Sequence, residues 1–134
     1  EALPRVTGQG TSTIDGDGFF GFGSGYDAGE RQTIIEAANS GQPTIANTEY
    51  SDAFKNRTAP VDVTLPNGQE TRIDIYRGHS YVVTHADSSG LTLVNPHGTN
   101  TVSETGSATP NGEFTISWED FGEYYGNVTL GAVK

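Results

Sequence analysis

Asn67-Gly68 lies between two runs of alternating polarity, Val61, Val63 and Leu65 before it and Ile73 and Ile75 after it. Both turn residues tolerate positive φ, and an Asn-Gly between two such runs is a strong short-range signal of an antiparallel hairpin. A second hairpin follows. Ser80–His85 and Leu91–Asn95 are apolar-rich runs joined by Asp87-Ser88-Ser89-Gly90. Further strands are expected at Pro43–Thr48, Glu113–Ile116 and Asn127–Gly131.

Helical signals occur twice. Asp27 is placed to cap a helix running to Gly41, and Glu30 three residues later completes a capping box. Ile34, Ile35 and Ala38 form its apolar stripe, and Gly41 and Pro43 end it. Ser117 caps a second, short helix carrying Trp118, Phe121, Tyr124 and Tyr125. Residues 1–26 read as a Gly-rich irregular arm over the core, with a short strand at Phe19–Phe22, and Thr99–Pro110 reads as a polar loop. The expected fold is α+β: a twisted antiparallel sheet, as a sandwich or half-barrel, with one main helix and one short C-terminal helix. One domain over residues 1–134 is expected, the arm at 1–26 and the β-rich body at 27–134.

Seven Lys and Arg against seventeen Asp and Glu leave a formal net charge of −10. Such a surface repels phosphate backbones and anionic membranes, so neither a nucleic acid nor a membrane is expected as a partner. The chain contains no cysteine, which excludes disulfides, thiolate metal sites and thiol chemistry supplied by this chain alone. No apolar run is long enough to span a bilayer. The chain starts at Glu1 rather than Met, which suggests a processed piece of a longer protein, and a secreted location is favoured.

The candidate chemistry lies at His79 and Asn95. His79 follows Gly78 and opens an apolar strand, so it stands at the rim of the sheet. With a turn at 87–90, paired residues have numbers summing to about 177, which sets His79 opposite position 98 and within a few residues of Asn95. The Asn95 carboxamide would then accept from one imidazole N–H, fixing the tautomer and leaving the other nitrogen for a thiol. Pro96 stops the strand and Gly98 lets the backbone bend away.

Three ordered segments carry a family resemblance: Gly78-His79-Ser80-Tyr81-Val82-Val83-Thr84, then Leu91–Gly98, then Asn111-Gly112-Glu113-Phe114-Thr115-Ile116-Ser117-Trp118-Glu119-Asp120-Phe121. They resemble the "GHAYxV", "NPWG" and "DGEFWMSFxDF" segments of the calpain-type cysteine proteases. The helix and turn at 34–43 are similar to the step that precedes the histidine there. The resemblance covers roughly residues 30–131 and implies the β-rich second half of a papain-like catalytic domain. By that resemblance His79 is the base, Asn95 orients it, and the cysteine lies on an upstream subdomain of the same parent protein. The substrate is a protein or peptide, cleaved through an acyl-enzyme.

Two departures stand out. The family's tryptophan after Asn-Pro is His97 here, which covers the pair less well. The family's calcium-binding "DGE" step keeps Glu113 but has Asn111 in first place, with Glu104 as a further carboxylate. No cofactor is required, and calcium remains an option. Asp15 and Asp17 lack the glutamate spacing of an EF-hand loop.

The alternative function is a protease-like module without activity, acting as a protein-binding or regulatory domain, as the missing cysteine suggests. A metal hydrolase using His79, His85 and His97 is weaker. His79 and His85 would face one side of a strand but stand about 20 Å apart. Tyr124 and Tyr125 raise a carbohydrate-binding surface, and Asn56-Arg57-Thr58 and Asn127-Val128-Thr129 are glycosylation sequons.

Overall fold

The computed structural model describes residues 12–15, 26–48 and 57–131. Within them, strands β1 (Ser12–Asp15), β2 (Thr44–Asn47), β3 (Thr58–Thr64), β4 (Glu70–Tyr76), β5 (Ser80–Asp87), β6 (Gly90–Val94), β7 (Glu113–Ser117) and β8 (Asn127–Leu130) form one sheet. Its spatial order is β1-β8-β2-β5-β6-β7-β3-β4, and every pairing is antiparallel. Two helices complete an α+β fold, α1 (Ala28–Asn39) and α2 (Trp118–Tyr124).

The β3–β4 hairpin forms around Asn67-Gly68, with Gly68 at φ 89°. Asn67 Oδ1 accepts the Gln69 N–H, which closes the turn. Val61, Val63, Ile73 and Ile75 face inward while Asp62 and Arg72 pair on the wet face. Asp27 caps α1 with both halves of the capping box, Glu30 N–H to Asp27 Oδ1 at 2.8 Å and Asp27 N–H to Glu30 Oε1 at 2.9 Å. Ile34, Ala37 and Ala38 are buried, whereas Ile35 is only half-buried. Asn39 ties the end of α1 to β5, since Nδ2 donates to the Ala86 carbonyl and Oδ1 accepts the Ala86 N–H.

The expected arm contains a strand that local pattern does not reveal. β1 pairs with β8 from Ser12↔Leu130 to Asp15↔Asn127, and Tyr26 is a core residue whose hydroxyl donates to the Tyr125 carbonyl. A four-residue edge strand is made by its partner, not by its own alternation. The strand expected at Phe19–Phe22, the Asp17 side of the acidic-loop reading and the Asn56 sequon lie outside the described residues.

The core is dense in aromatic rings. Tyr125 stacks on Phe121 at 4.7 Å, and Tyr81 meets Phe114 and Tyr125 edge-on at 5.8 and 5.5 Å. Tyr125 is therefore core rather than an exposed carbohydrate platform, and Tyr124 is half-buried. The Asn127 sequon is also closed in the folded chain. Asn127 is buried, and its Oδ1 accepts from Asn47 Nδ2 at 2.7 Å.

Adjacent antiparallel strands alternate ends and beginnings along each margin of a sheet. Here the end of β2 (Thr48), the mouth of β5 (His79), the end of β6 (Asn95) and the approach to β7 (Gly112) share one margin. Four sequence-distant residues become neighbours for that reason alone.

Candidate active site at the margin of the sheet

His79 follows the Arg77-Gly78 turn, in which Gly78 has φ 69°. Its backbone is held from the next strand. The His79 N–H donates to Thr48 Oγ1 at 2.9 Å, and the Thr48 N–H donates to the His79 carbonyl at 3.0 Å. Thr48 is fully buried, and its hydroxyl donates to the Tyr76 carbonyl at 2.6 Å.

Aromatic rings wall the imidazole. Tyr81 stands at 4.9 Å and almost perpendicular, His97 at 4.8 Å and tilted by 47°, and Tyr76 at 6.1 Å. The Tyr81 hydroxyl accepts the Tyr76 N–H at 3.1 Å, and burial pushes its pKa up to about 12. It stays a neutral phenol at any ordinary pH.

Asn95 closes β6 and is 3% exposed. Asn95, Pro96 and Gly98 stand at the first, second and fourth positions of a four-residue turn, where each of these residue types is favoured. The Gly98 N–H donates to the Asn95 carbonyl at 2.9 Å, with Gly98 at φ 90°. The side chain turns back as well: Asn95 Oδ1 accepts the His97 N–H at 3.0 Å and lies 3.1 Å from His79 Nε2. A backbone N–H can only donate, so the atom facing it is the carboxamide oxygen. That oxygen accepts from Nε2, which therefore carries the proton. In the neutral ring Nδ1 holds the lone pair.

The expected register is close to that found. Asp87↔Gly90, Ala86↔Leu91 and His85↔Thr92 keep a numerical sum of 177, and a bulge between Val83 and His85 lowers it by one toward the margin. Beyond the last pair, Val82↔Val94, the His97 ring stands 4.8 Å from that of His79. The bulge has a second effect that corrects the strand argument about metal binding. Val83 and Ala86 are both buried, so the inward face changes parity and His85 turns outward, where Nε2 is 3.6 Å from Asp87 Oδ2. His79 and His85 do not share a side. Among the described residues, no group of three or more His, Cys, Asp or Glu is placed to hold a metal ion. Asn111 Oδ1, at the step considered for calcium, accepts the Glu113 N–H at 2.9 Å.

Three participants have no mark in the sequence. Thr48 fixes the His79 backbone. Asn100 and Thr109, both buried, lie under Asn95. Asn95 Nδ2 donates to Asn100 Oδ1 at 3.1 Å, Asn100 Nδ2 donates to the Gly112 carbonyl at 2.9 Å, and the Asn100 N–H donates to Thr109 Oγ1 at 3.0 Å. Within the polar run Thr99–Pro110 nothing distinguishes Asn100 from its neighbours, because burial alone gives it a role.

Chemically, the arrangement is an imidazole with one nitrogen held by a neutral amide oxygen and the other able to take a proton. That fits a base for a thiol, with the N–H bond retained when the ring becomes imidazolium. No protein-family profile matches the chain, and no curated protein matches it in sequence.

Proposed function

We propose that this chain is the C-terminal catalytic subdomain of a calpain-like cysteine endopeptidase. In this reading His79 is the general base and Asn95 orients it. The nucleophile comes from a cysteine on an upstream subdomain of the parent protein, and the substrate is a protein or peptide. The observation that carries it is the 3.1 Å contact between His79 Nε2 and the buried Asn95 Oδ1. The ordered sequence resemblance adds to it.

The mechanism follows from the tautomer. Nδ1 takes the thiol proton and yields a thiolate–imidazolium pair. The thiolate attacks the peptide carbonyl. The imidazolium then gives its proton to the leaving amine, and a water deprotonated by the same nitrogen hydrolyses the acyl-enzyme. Asn95 holds the ring plane throughout and never changes charge. A neutral amide leaves the imidazolium charge to pair with the thiolate, whereas a carboxylate at that position would compete for it.

The test joins this chain to the segment that precedes it in its gene and measures hydrolysis of a fluorogenic peptide. Activity should vanish on thiol alkylation, and His79→Ala should lower the rate about 10²- to 10⁴-fold. A preceding segment without a cysteine at the start of a helix, or hydrolysis indifferent to alkylation, ends the protease reading. The absence of cysteine here favours a second reading, an inactive protein-binding module. It predicts that the joined protein leaves peptides intact.

A further inference from the structure

Building on the role proposed for Asn95, we infer that Asn100 is a positioning residue that sets the tautomer of His79 from two side chains away. The argument starts at a group that cannot be reversed. The Gly112 carbonyl only accepts, and it takes the Asn95 N–H and Asn100 Nδ2, both at 2.9 Å. Asn100 must therefore show its NH₂ to Gly112 and its oxygen to Asn95. Asn95 must then show its NH₂ to Asn100 and its oxygen to the His97 N–H and to His79. Turning either carboxamide over would set oxygen against oxygen at Gly112 or N–H against N–H at His97.

Burial gives this direction its force. Asn95 and Asn100 are each 3% exposed, so a misdirected amide finds little water to take up its lost bonds. Asn100 is itself held at both backbone groups, its N–H by Thr109 Oγ1 and its carbonyl by the Thr109 N–H at 2.8 Å. The His97 N–H, the other control on Asn95, belongs to an exposed residue of the Pro96–Gly98 turn. Asn100 is the buried half of the pair. It never touches the ring, yet it determines that Nε2 bears hydrogen and that Nδ1 is the nitrogen available to a thiol.

The experiment uses this chain alone, with no sulfur partner. Two-bond nitrogen–proton correlations of His79 are recorded where the ring is neutral. The wild-type chain should show one tautomer, protonated at Nε2. Asn100→Leu fills nearly the same space without hydrogen bonds. It should move the two ring nitrogens toward averaged signals and speed solvent exchange of the Nε2 proton about 5- to 10-fold, the ratio for one lost hydrogen bond. If Asn100→Leu does not fold, Asn100→Ser serves, since it is too short to reach both partners. Asn39→Leu is the control, because it removes two side-chain bonds at Ala86 but none at the margin.

An unchanged His79 spectrum in the Asn100 variants overturns the inference. So does an equal change in Asn39→Leu, which would mean general loosening. The protease reading fails separately: a joined protein that cleaves nothing leaves these spectra intact.

Discussion

Gly112 approaches Asn95 so closely that a β-carbon on it would lie 2.5 Å from the Asn95 carbonyl oxygen and 3.1 Å from its nitrogen. Those are backbone atoms, which cannot swing aside. Gly112→Ala should therefore push β7 away from the end of β6 and cost about 3 kcal/mol. The urea midpoint should fall with little change in slope. Because the Gly112 carbonyl also anchors Asn95 and Asn100, the same variant should expose the His79 Nε2 proton to faster solvent exchange. A midpoint equal to wild type would show that the close approach relaxes without cost.

Tyr81 and Tyr125 are buried 5.5 Å apart but differ in hydrogen bonding. The Tyr81 hydroxyl accepts the Tyr76 N–H, whereas the Tyr125 hydroxyl is buried with no hydrogen-bond partner among the described residues. Tyr81→Phe should lower stability by about 1 kcal/mol, and Tyr125→Phe should raise it by a similar amount. Paired denaturation curves test this. Shifts of the same sign would contradict it.

Alkaline stability should depend on Tyr81. Burial raises its pKa from near 10 to about 12, and Tyr125 moves in the same direction, also by burial. The unfolded chain releases the Tyr81 proton near pH 10 while the folded chain retains it, so folding is favoured below that value and disfavoured as pH climbs. Across pH 10 to 12 the Tyr81 contribution, about 2–3 kcal/mol, should be lost. Tyr81→Phe should flatten that limb of the curve, and phenolate absorbance should rise together with unfolding.

His97 is exposed and its ring lies against His79 at 4.8 Å. His97→Trp, the residue of the resembling family, should cover the His79–Asn95 bond and slow exchange of the Nε2 proton. Stability should change by no more than about 0.5 kcal/mol, as at other surface positions. Unchanged exchange would show that the larger ring does not lie over the bond.

Asp87 should contribute to acid sensitivity. Hydrogen bonds from the Ser89 hydroxyl and backbone and from the Gly90 N–H, with the His85 ring nearby at 3.6 Å, hold its carboxyl below the usual range. Its stabilisation is present above the unfolded value and fades as pH falls through the lower folded value. Asp87→Asn should flatten the acid limb by a few tenths of a kcal/mol, as expected for an exposed group. An acid limb identical to wild type would dismiss the turn as its source.

Much of the architecture was legible in local pattern. The Asn67-Gly68 hairpin, the capping box of Asp27 and Glu30, the α1 stop at Gly41 and Pro43, and the Ser117 cap each depend on residues close in sequence. Near neighbours express their preferences before any tertiary contact exists, so these elements can be read directly. The proximity of His79 and Asn95 was legible for the same reason, since one short hairpin joins them.

Tertiary structure decided the rest. It made Ser12–Asp15 a strand by giving it β8 as a partner, turned His85 outward through a bulge, and buried Asn127 and Tyr125. It also set Thr48 and Asn100 behind the catalytic candidates. A threonine or asparagine looks the same in sequence whether it hydrates a loop or satisfies a buried amide. Only removal from water, decided by the packing of distant strands, gives such a residue one partner and one orientation.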